Sequence, residues 1–323
     1  MTTTTTTDQQ QLEPHRRALT GFCYRMLGSS FEADDGVQET MVRAWRHADG
    51  FEGRAALKTW LYRIATNVCL DHLQHRKRRA RPMELSPVGS SRAVLTVPSP
   101  EHTWITPIAD DVLVADDDPA AALLTRESVR LAFVAALQHL PAKQRAVLIL
   151  RDVLSFSAAE VAELLETTVA SANSALQRAR ATLAERPTAD TDVRNPLDAA
   201  QQKLLDAYLE AFERYDIDAL SKLLHEDAVL SMPPWPLWLR GPDEIGAWQL
   251  GTGIGCRGSK LIPTTASGSP AFAQYRRAED GNGYVAWAVI ILEIVDGRIA
   301  GVNNFLDVDR LFPQLGLPLR RPA

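Results

Sequence analysis

Five side chains between residues 171 and 178 carry the chemistry best suited to reading another molecule. Ser171, Ser174, Gln177 and Arg178 fall on one side of a helical projection, with Asn173 and Arg180 at its border. Asparagine, glutamine and arginine can each make paired hydrogen bonds to base edges, and the major groove of DNA admits a single helix. A second store of chemistry is positive charge, densest at Arg76-Lys77-Arg78-Arg79-Ala80-Arg81. Such a run serves either as a solvated helix end or as a set of phosphate contacts, which position a protein on nucleic acid without reading its sequence. For acid–base catalysis His225, Asp227 and Asp307 stand out, and a working acid or base needs a partner within reach. The sequence carries no metal-ligand cluster, nucleophile elbow or glycine-rich phosphate loop, so neither a metal nor a cofactor is expected. His72 and His75 read as polar helix surface beside the basic run rather than as metal ligands.

The elements that must position these residues are helical through the first 186 positions. Over 33–48, Val37, Met41, Ala44 and Trp45 share one face, while Asp35, Glu39, Arg43 and Arg46 take the opposite one. Gly50-Phe51-Glu52-Gly53 breaks the pattern. A second helix, from about residue 57 to the basic run, places Leu57, Trp60, Leu61, Ile64 and Val68 on one face and Tyr62, Thr66 and Cys69 on another. It should therefore be gripped from several sides. Val129, Phe133, Ala136, Leu137 and Leu140 form a further face, and Pro141 suits the first turn of a helix over 142–153. Ser157 and Glu160 predict a capping box opening a helix over 158–165. After Glu166-Thr167-Thr168, the residues Val169, Ala172, Leu176, Ala179 and Leu183 define a buried stripe opposite the polar set. A short helix, a tight turn and a second helix with a polar, basic outer face is the arrangement of a helix-turn-helix.

A chain of 323 residues, 46% hydrophobic and 23% charged, favours two or three modules over one. Its net charge of -5 hides a segregation: residues 1–82 carry 13 Lys/Arg against nine Asp/Glu, whereas 83–125 carry one Arg against seven acids. Residues 126–186 are again net positive, so an acidic average does not exclude nucleic acid. Prolines interrupt 83–125, which is expected to be an acidic linker able to extend on the order of 100 Å. The longest apolar stretch, Tyr284–Val295, is about half of what a spanning helix needs, and the N-terminal threonine run lacks the features of a signal peptide. Three cysteines, Cys23, Cys69 and Cys256, build no disulfide framework. A cytoplasmic protein with no membrane partner is expected.

The motifs resemble a known family. Tyr24-Arg25-Met26-Leu27-Gly28, Gln38-Glu39-Thr40 and Thr59-Trp60-Leu61-Tyr62-Arg63-Ile64-Ala65-Thr66-Asn67 resemble region 2 of extracytoplasmic-function (ECF) sigma factors of the sigma-70 family. Leu140-Pro141-Ala142-Lys143-Gln144-Arg145, Ala158-Ala159-Glu160-Val161-Ala162 and Ser174-Ala175-Leu176-Gln177-Arg178-Ala179-Arg180 resemble region 4. The resemblance implies two all-α domains: region 2 over 14–82, after a disordered tail over 1–13, and region 4 over 126–186, joined by the linker 83–125. It implies a bacterial protein that binds core RNA polymerase and directs promoter recognition, and that is not itself an enzyme. Asp35, Gln38, Glu39, Val42 and Arg43 would dock on the clamp helices of the β′ subunit, and region 4 would meet the β flap. Trp60 would support the upstream edge of the −10 bubble and Asn67 would line the pocket for a flipped base, tasks suited to an aromatic and an amide. Arg76, Lys77, Arg78 and Arg79 would contact promoter phosphates. Asn173, Ser174, Gln177 and Arg178 align with the −35 readers, Ser171 beside them. Asn173 stands where other members often carry arginine, which predicts a different −35 preference because arginine favours guanine edges and asparagine adenine edges. A conventional helix-turn-helix repressor or activator is the nearest alternative, but it needs no polymerase-docking helix.

Residues 187–199 read as a second linker, and 200–323 are enough for an independent domain. Leu204, Leu205, Tyr208, Leu209 and Phe212 form a helical stripe, and a second helix runs over 217–224. Asp280-Gly281-Asn282-Gly283 and Asp296-Gly297 then separate strands over 271–277, 284–295 and 298–308. Helices first and an antiparallel sheet after, with Leu224-His225-Glu226-Asp227-Ala228 and Ser231-Met232-Pro233-Pro234, resemble a SnoaL-like domain, an α+β cone. The resemblance sets His225 and Asp227 in a helix-to-strand turn. It implies a cone that Trp235, Trp238, Trp248, Phe272 and Trp287 either line, holding a small apolar ligand, or simply fill. Three roles are open to such a domain: a built-in regulator contacting the sigma regions or polymerase, a ligand sensor, or a residual enzyme carrying a DNA-targeting appendage. The first two rank ahead of the third.

Overall fold

The structure, a computed structural model, describes residues 9–48, 57–74, 77–95, 97–113, 123, 125–185 and 198–322. These fall into two compact units. One gathers the chain up to Arg79 with 111–188, the other 80–110 with 189–323.

In the first unit the fold begins earlier than expected. A helical turn over Gln9–Leu12 buries Leu12 at 2% exposure, so an apolar anchor orders the end of the tail. Three helices follow: α1 (Arg16–Leu27), α2 (Ser30–Arg46) and α3 (Leu57–Leu73). Gly28 closes α1 at φ +70°, and the Ser29 hydroxyl caps α2 by accepting from the Glu32 N–H at 3.4 Å. The inner face of α2 is made of small residues, Ala33, Gly36, Val37, Thr40 and Ala44, which lets α1 approach closely. Trp45 is not on that face. It is 62% exposed, because a bulky indole cannot enter a seam built for alanine and glycine. α3 is gripped on several sides as its composition requires, with Leu61, Tyr62, Ala65, Thr66, Val68 and Cys69 buried.

The second helical block comprises α4 (Leu131–Gln138), α5 (Ala142–Leu148) with a wider turn over Ile149–Val153, α6 (Ala158–Leu164) and α7 (Val169–Ala184). The capping box opens α6: the Glu160 N–H donates to Ser157 Oγ at 3.2 Å, and the Ser157 N–H to Glu160 Oε2 at 2.7 Å. The two blocks share one core. Tyr62 of α3 meets Phe156 edge-on with ring centroids 5.1 Å apart. Arg145 reaches from α5 to the carbonyl of Met26 at the end of α1, and also donates to Gln138 Oε1 at 2.7 Å and the Leu140 carbonyl at 3.1 Å. Arg25 of α1 donates to Ser128 Oγ at 2.6 Å. Burial lowers both guanidinium pKa values to about 10, so both remain charged at neutral pH.

The second unit is α+β. Helices α8 (Ala199–Arg214) and α9 (Ile217–Leu223) lead into β1 (Leu224–Ser231) and β2 (Trp238–Arg240). Then come α10 (Pro242–Leu250), β3 (Lys260–Ala266), β4 (Ser269–Arg277), β5 (Tyr284–Val295), β6 (Arg298–Phe305), α11 (Val308–Gln314) and β7 (Arg320–Arg321). The sheet order is β2-β1-β6-β5-β4-β3, with β7 beside β5; β1 and β6 run parallel and the other pairs antiparallel. Asp296 and Gly297 join β5 to β6 with φ of +50° and +68°, the left-handed pair that a two-residue hairpin turn demands. His225 and Asp227 lie inside β1 rather than in a turn, in the irregular stretch between Leu224 and Val229 where the register with β6 shifts.

The largest departure from expectation is the segment after the basic run. Residues 80–110 are not a free tether but a strap wound on the second unit. The Gly89 N–H donates to the Trp238 carbonyl, the Ser99 N–H to that of Pro234, and Ile108 accepts from the Ser267 N–H, each at 2.8 Å. Trp104, Ile105 and Ile108 are each 3% exposed, burial worth roughly 1.5–3 kcal/mol per side chain. The prolines that suggested an open linker restrict the unfolded strap and so lower the entropy lost on docking it. Gly89 is needed for the close approach, since a Cβ there would lie 2.6 Å from Leu237 Cδ1 and 3.1 Å from the Trp238 carbonyl. Gly50 to Gly53, Arg76 and residues 187–197 of the second linker lie outside the described residues.

Candidate nucleic-acid interface and small-molecule cavity

On α2, Asp35, Gln38 and Val42 are exposed, and their spacing continues to Trp45. The four residues form one solvent-facing stripe, polar with an aromatic end. Sequence projection missed Trp45 by assigning it to the core; the signal was the 35-38-42-45 spacing itself. Glu39 and Arg43 stand at the edge of this stripe and are engaged elsewhere. Arg43 pairs with Glu39 at 2.5 Å and with Asp71 of α3 at 3.3 Å, and His72 Nε2 lies 3.1 Å from Glu39 Oε2. The hydrogen bond with His72, then Arg43, holds the Glu39 carboxyl below the usual range.

On α3, Trp60 is half-buried and Asn67 exposed, with exposed Arg63 on the same face between them. Arg63 is a candidate that projection overlooked; one helical turn from both Trp60 and Asn67, it adds a cation to the aromatic and the amide. Lys77 and Arg78 are exposed, and Arg78 contacts the His139 ring. Arg79 departs from the reading as a phosphate contact: it is 5% exposed and its Nη2 pairs with Glu32 at 2.8 Å. Its place at the end of the basic run gave no sign of that, because the partner comes from α2.

On α7, Ser171, Asn173, Ser174, Gln177 and Arg178 are all exposed, opposite the buried Ala172, Leu176 and Ala179. Val169 is not part of the buried stripe; as the first residue of the helix it is 43% exposed. The turn before α7 places Glu166 at φ +51°, and the Thr168 hydroxyl caps the helix by accepting from the Ser171 N–H at 3.1 Å. Arg180 forms a two-pronged bond to Asp152, 2.9 and 2.7 Å, which fixes α7 against the turn after α5. The polar face thus stands on a braced helix.

The second unit encloses a cavity of about 500 Å³, counting the part open to solvent. Trp248 of α10 and Trp287 of β5 line it; Phe272 sits in the core, 2% exposed and stacked on Tyr208, while Trp235 and Trp238 do not reach it. Trp238 instead donates its indole N–H to the Ser86 carbonyl of the strap at 2.9 Å. His225, Asp227 and Asp307 do not line the cavity either. Asp227 pairs with Arg240 at 3.4 Å, and Asp307, raised in pKa by burial, lies 3.8 Å from Arg310. The three acid–base candidates therefore do not converge on one reacting position. Among the described residues no group of His, Cys, Asp and Glu could hold a metal ion, and no helix is long and apolar enough to cross a membrane.

The comparisons with known proteins match this division. Residues 12–79 match the family described as Sigma-70 region 2, residues 130–183 that described as Sigma-70, region 4, and residues 205–302 that described as SnoaL-like domain. The ECF RNA polymerase sigma factor SigG of Mycobacterium tuberculosis is 44% identical over 311 residues, covering 95% of this chain and 82% of that one. SigJ of the same organism is 25% identical over 322 residues, covering 96% and 94%. The crystal structure of SigJ superposes with a TM-score of 0.63 at 22% identity, over 97% of this chain and all of that chain, which supports the shared fold. The chain belongs to the ECF sigma factors of RNA polymerase and carries a C-terminal SnoaL-like domain.

Proposed function

We propose that this sigma factor presents three separate faces to polymerase and promoter, and that its C-terminal domain regulates them by binding rather than by catalysis. The observation that carries the reading is the braced α7, whose outward side chains are the five whose chemistry suits base edges. Asn173, Ser174, Gln177 and Arg178, with Ser171, read the −35 element. Trp60, Arg63 and Asn67 on α3 handle the opened −10 element, with Lys77 and Arg78 on phosphates. The stripe Asp35, Gln38, Val42 and Trp45 docks on the β′ clamp helices, and the second helical block meets the β flap, in the cytoplasm where polymerase works.

Elements centred about 25 base pairs apart are separated by roughly 85 Å at ~3.4 Å per pair. A compact unit of about 160 residues has a radius of gyration of only ~15 Å. The contacts of Arg145 with Met26 and of Tyr62 with Phe156 therefore break when both elements are engaged. Among the described residues no acid–base pair lines the cavity, which favours binding over turnover in the C-terminal domain.

Run-off transcription with core RNA polymerase on a promoter library tests the assignment. The full chain initiates at a defined class of promoters, and Asn173→Arg shifts the preferred −35 base from adenine toward guanine. Duplex binding with no initiation would replace this reading with that of a conventional regulator.

A further inference from the structure

The cavity of the second unit has an uneven wall. Most of it is apolar, from Phe212, Leu230, Met232, Trp248 and Trp287. Gln249, Gln274 and Asn304 add neutral amides, and among the described residues no aspartate or glutamate lines it. One full charge faces the space, that of Arg276 on β4. Its guanidinium lies over the Trp287 ring at 3.4 Å from the centroid, which fixes the plane of the group. Its Nη2 touches Cys256 Sγ at 3.2 Å, a weak acceptor, and its Nε is buried with no hydrogen-bond partner. No carboxylate lies within ion-pair distance of it among the described residues. A half-buried guanidinium without an oxygen acceptor leaves donors unused at the edge of an apolar space, where a charged acceptor gains most.

We propose that this cavity binds an amphipathic organic carboxylate, its apolar body against Trp248 and Phe212 and its carboxylate on Arg276. An apolar wall with one guanidinium at its edge suits a small amphipathic body rather than a wholly polar one. The wall is completed by Leu95, which belongs to the strap rather than to the SnoaL-like fold. The strap is also the chain that leads directly from Arg79 of the first unit and returns to it at Asp111. Its flanks at Val94 and Val97 are 79% and 77% exposed, so Leu95 is the inward point of an otherwise loosely covered stretch. Leu95 already packs against the core of the unit, and an occupied cavity adds a further apolar contact that fixes that stretch, which ties the ligand to the connection between the two promoter-reading blocks. This proposal rests on the reading of the C-terminal domain as a binding regulator.

The test uses the full chain and four probes: naphthalene-2-carboxylate and octanoate, each against its own primary amide, by titration calorimetry. At least one acid should bind about tenfold or more tighter than its amide. Arg276→Gln should abolish that preference, and Arg276→Lys should restore part of it. The bound acid should slow amide hydrogen exchange over 93–97 in the wild type and not in Arg276→Gln. Equal binding of acid and amide, or an acid preference that survives Arg276→Gln, would overturn the carboxylate assignment while leaving a ligand-binding domain. Binding without slowed exchange in the strap would overturn the link through Leu95. Absence of binding by all four probes would overturn the carboxylate proposal and count against the ligand-binding reading, whereas the promoter-library experiment would still report on the sigma assignment.

Discussion

Arginines drawn out of solvent, wholly or by half, do opposite things in the two units. In the first, Arg25 and Arg145 end on oxygens: a serine hydroxyl for one, a glutamine side chain and backbone carbonyls for the other. In the second, Arg276 ends on a sulfur and a ring face, beside a cavity. The first pair are staples, since removing either strands acceptors that were desolvated on folding. The third is held in shape by stacking on Trp287 with its donors turned to the cavity wall. Burial of a charge thus marks a structural site or a receptive one according to whether its acceptors come from the protein.

The sharpest way to break this comparison is to truncate both kinds. Arg145→Ala should cost about 3 kcal/mol of stability in urea unfolding, because the Met26, Gln138 and Leu140 acceptors lose their donor. Arg276→Met should change stability by less than ~1 kcal/mol, the worth of its stacking on Trp287. Equal costs would erase the distinction. Next in size is the outer face of α7. Gln177→Ala or Arg178→Ala should weaken −35-dependent initiation by about five- to 150-fold, or ~1–3 kcal/mol, without moving the unfolding midpoint. Arg214→Ala, an exposed arginine of the other unit, should leave initiation unchanged.

Smaller effects sharpen the picture of how the helices of the first unit are held. Ser157→Ala removes the cap of α6 and should cost ~1 kcal/mol in the same unfolding experiment. The smallest expected effect is a pH dependence at Glu39. Its folded carboxyl is held below the usual 4.5, so its contribution is complete above that value and is lost as the pH falls through the lowered folded value. Glu39→Gln should therefore flatten the acid side of the stability profile below about pH 4.5. Its side chain is 39% exposed, and solvent screening limits the difference to a few tenths of a kcal/mol.

Much of the molecule was legible one element at a time. The capping box at Ser157 and Glu160, the polar face of α7, the bounds of β5 and the hairpin at Asp296-Gly297 depend on residues near one another in the chain, so spacing alone locates them. Errors arose where a distant partner decides. Trp45 looked apolar enough for the core, yet the seam it would enter is built for small residues from α1 and α2. Arg79 looked like its basic neighbours until Glu32 was brought to it.

By itself, the sequence determined the helical blocks, the outward polar face of α7 and the α+β domain, because helix and strand periodicity and turn chemistry are local. Only the tertiary structure decided that the acidic, proline-rich segment is a strap, that the two promoter-reading blocks share a core, and that Arg276 faces a largely apolar cavity. The reason is physical. A linker and a strap differ not in composition but in whether a few apolar side chains, here Trp104, Ile105 and Ile108, find a surface that repays the entropy of docking.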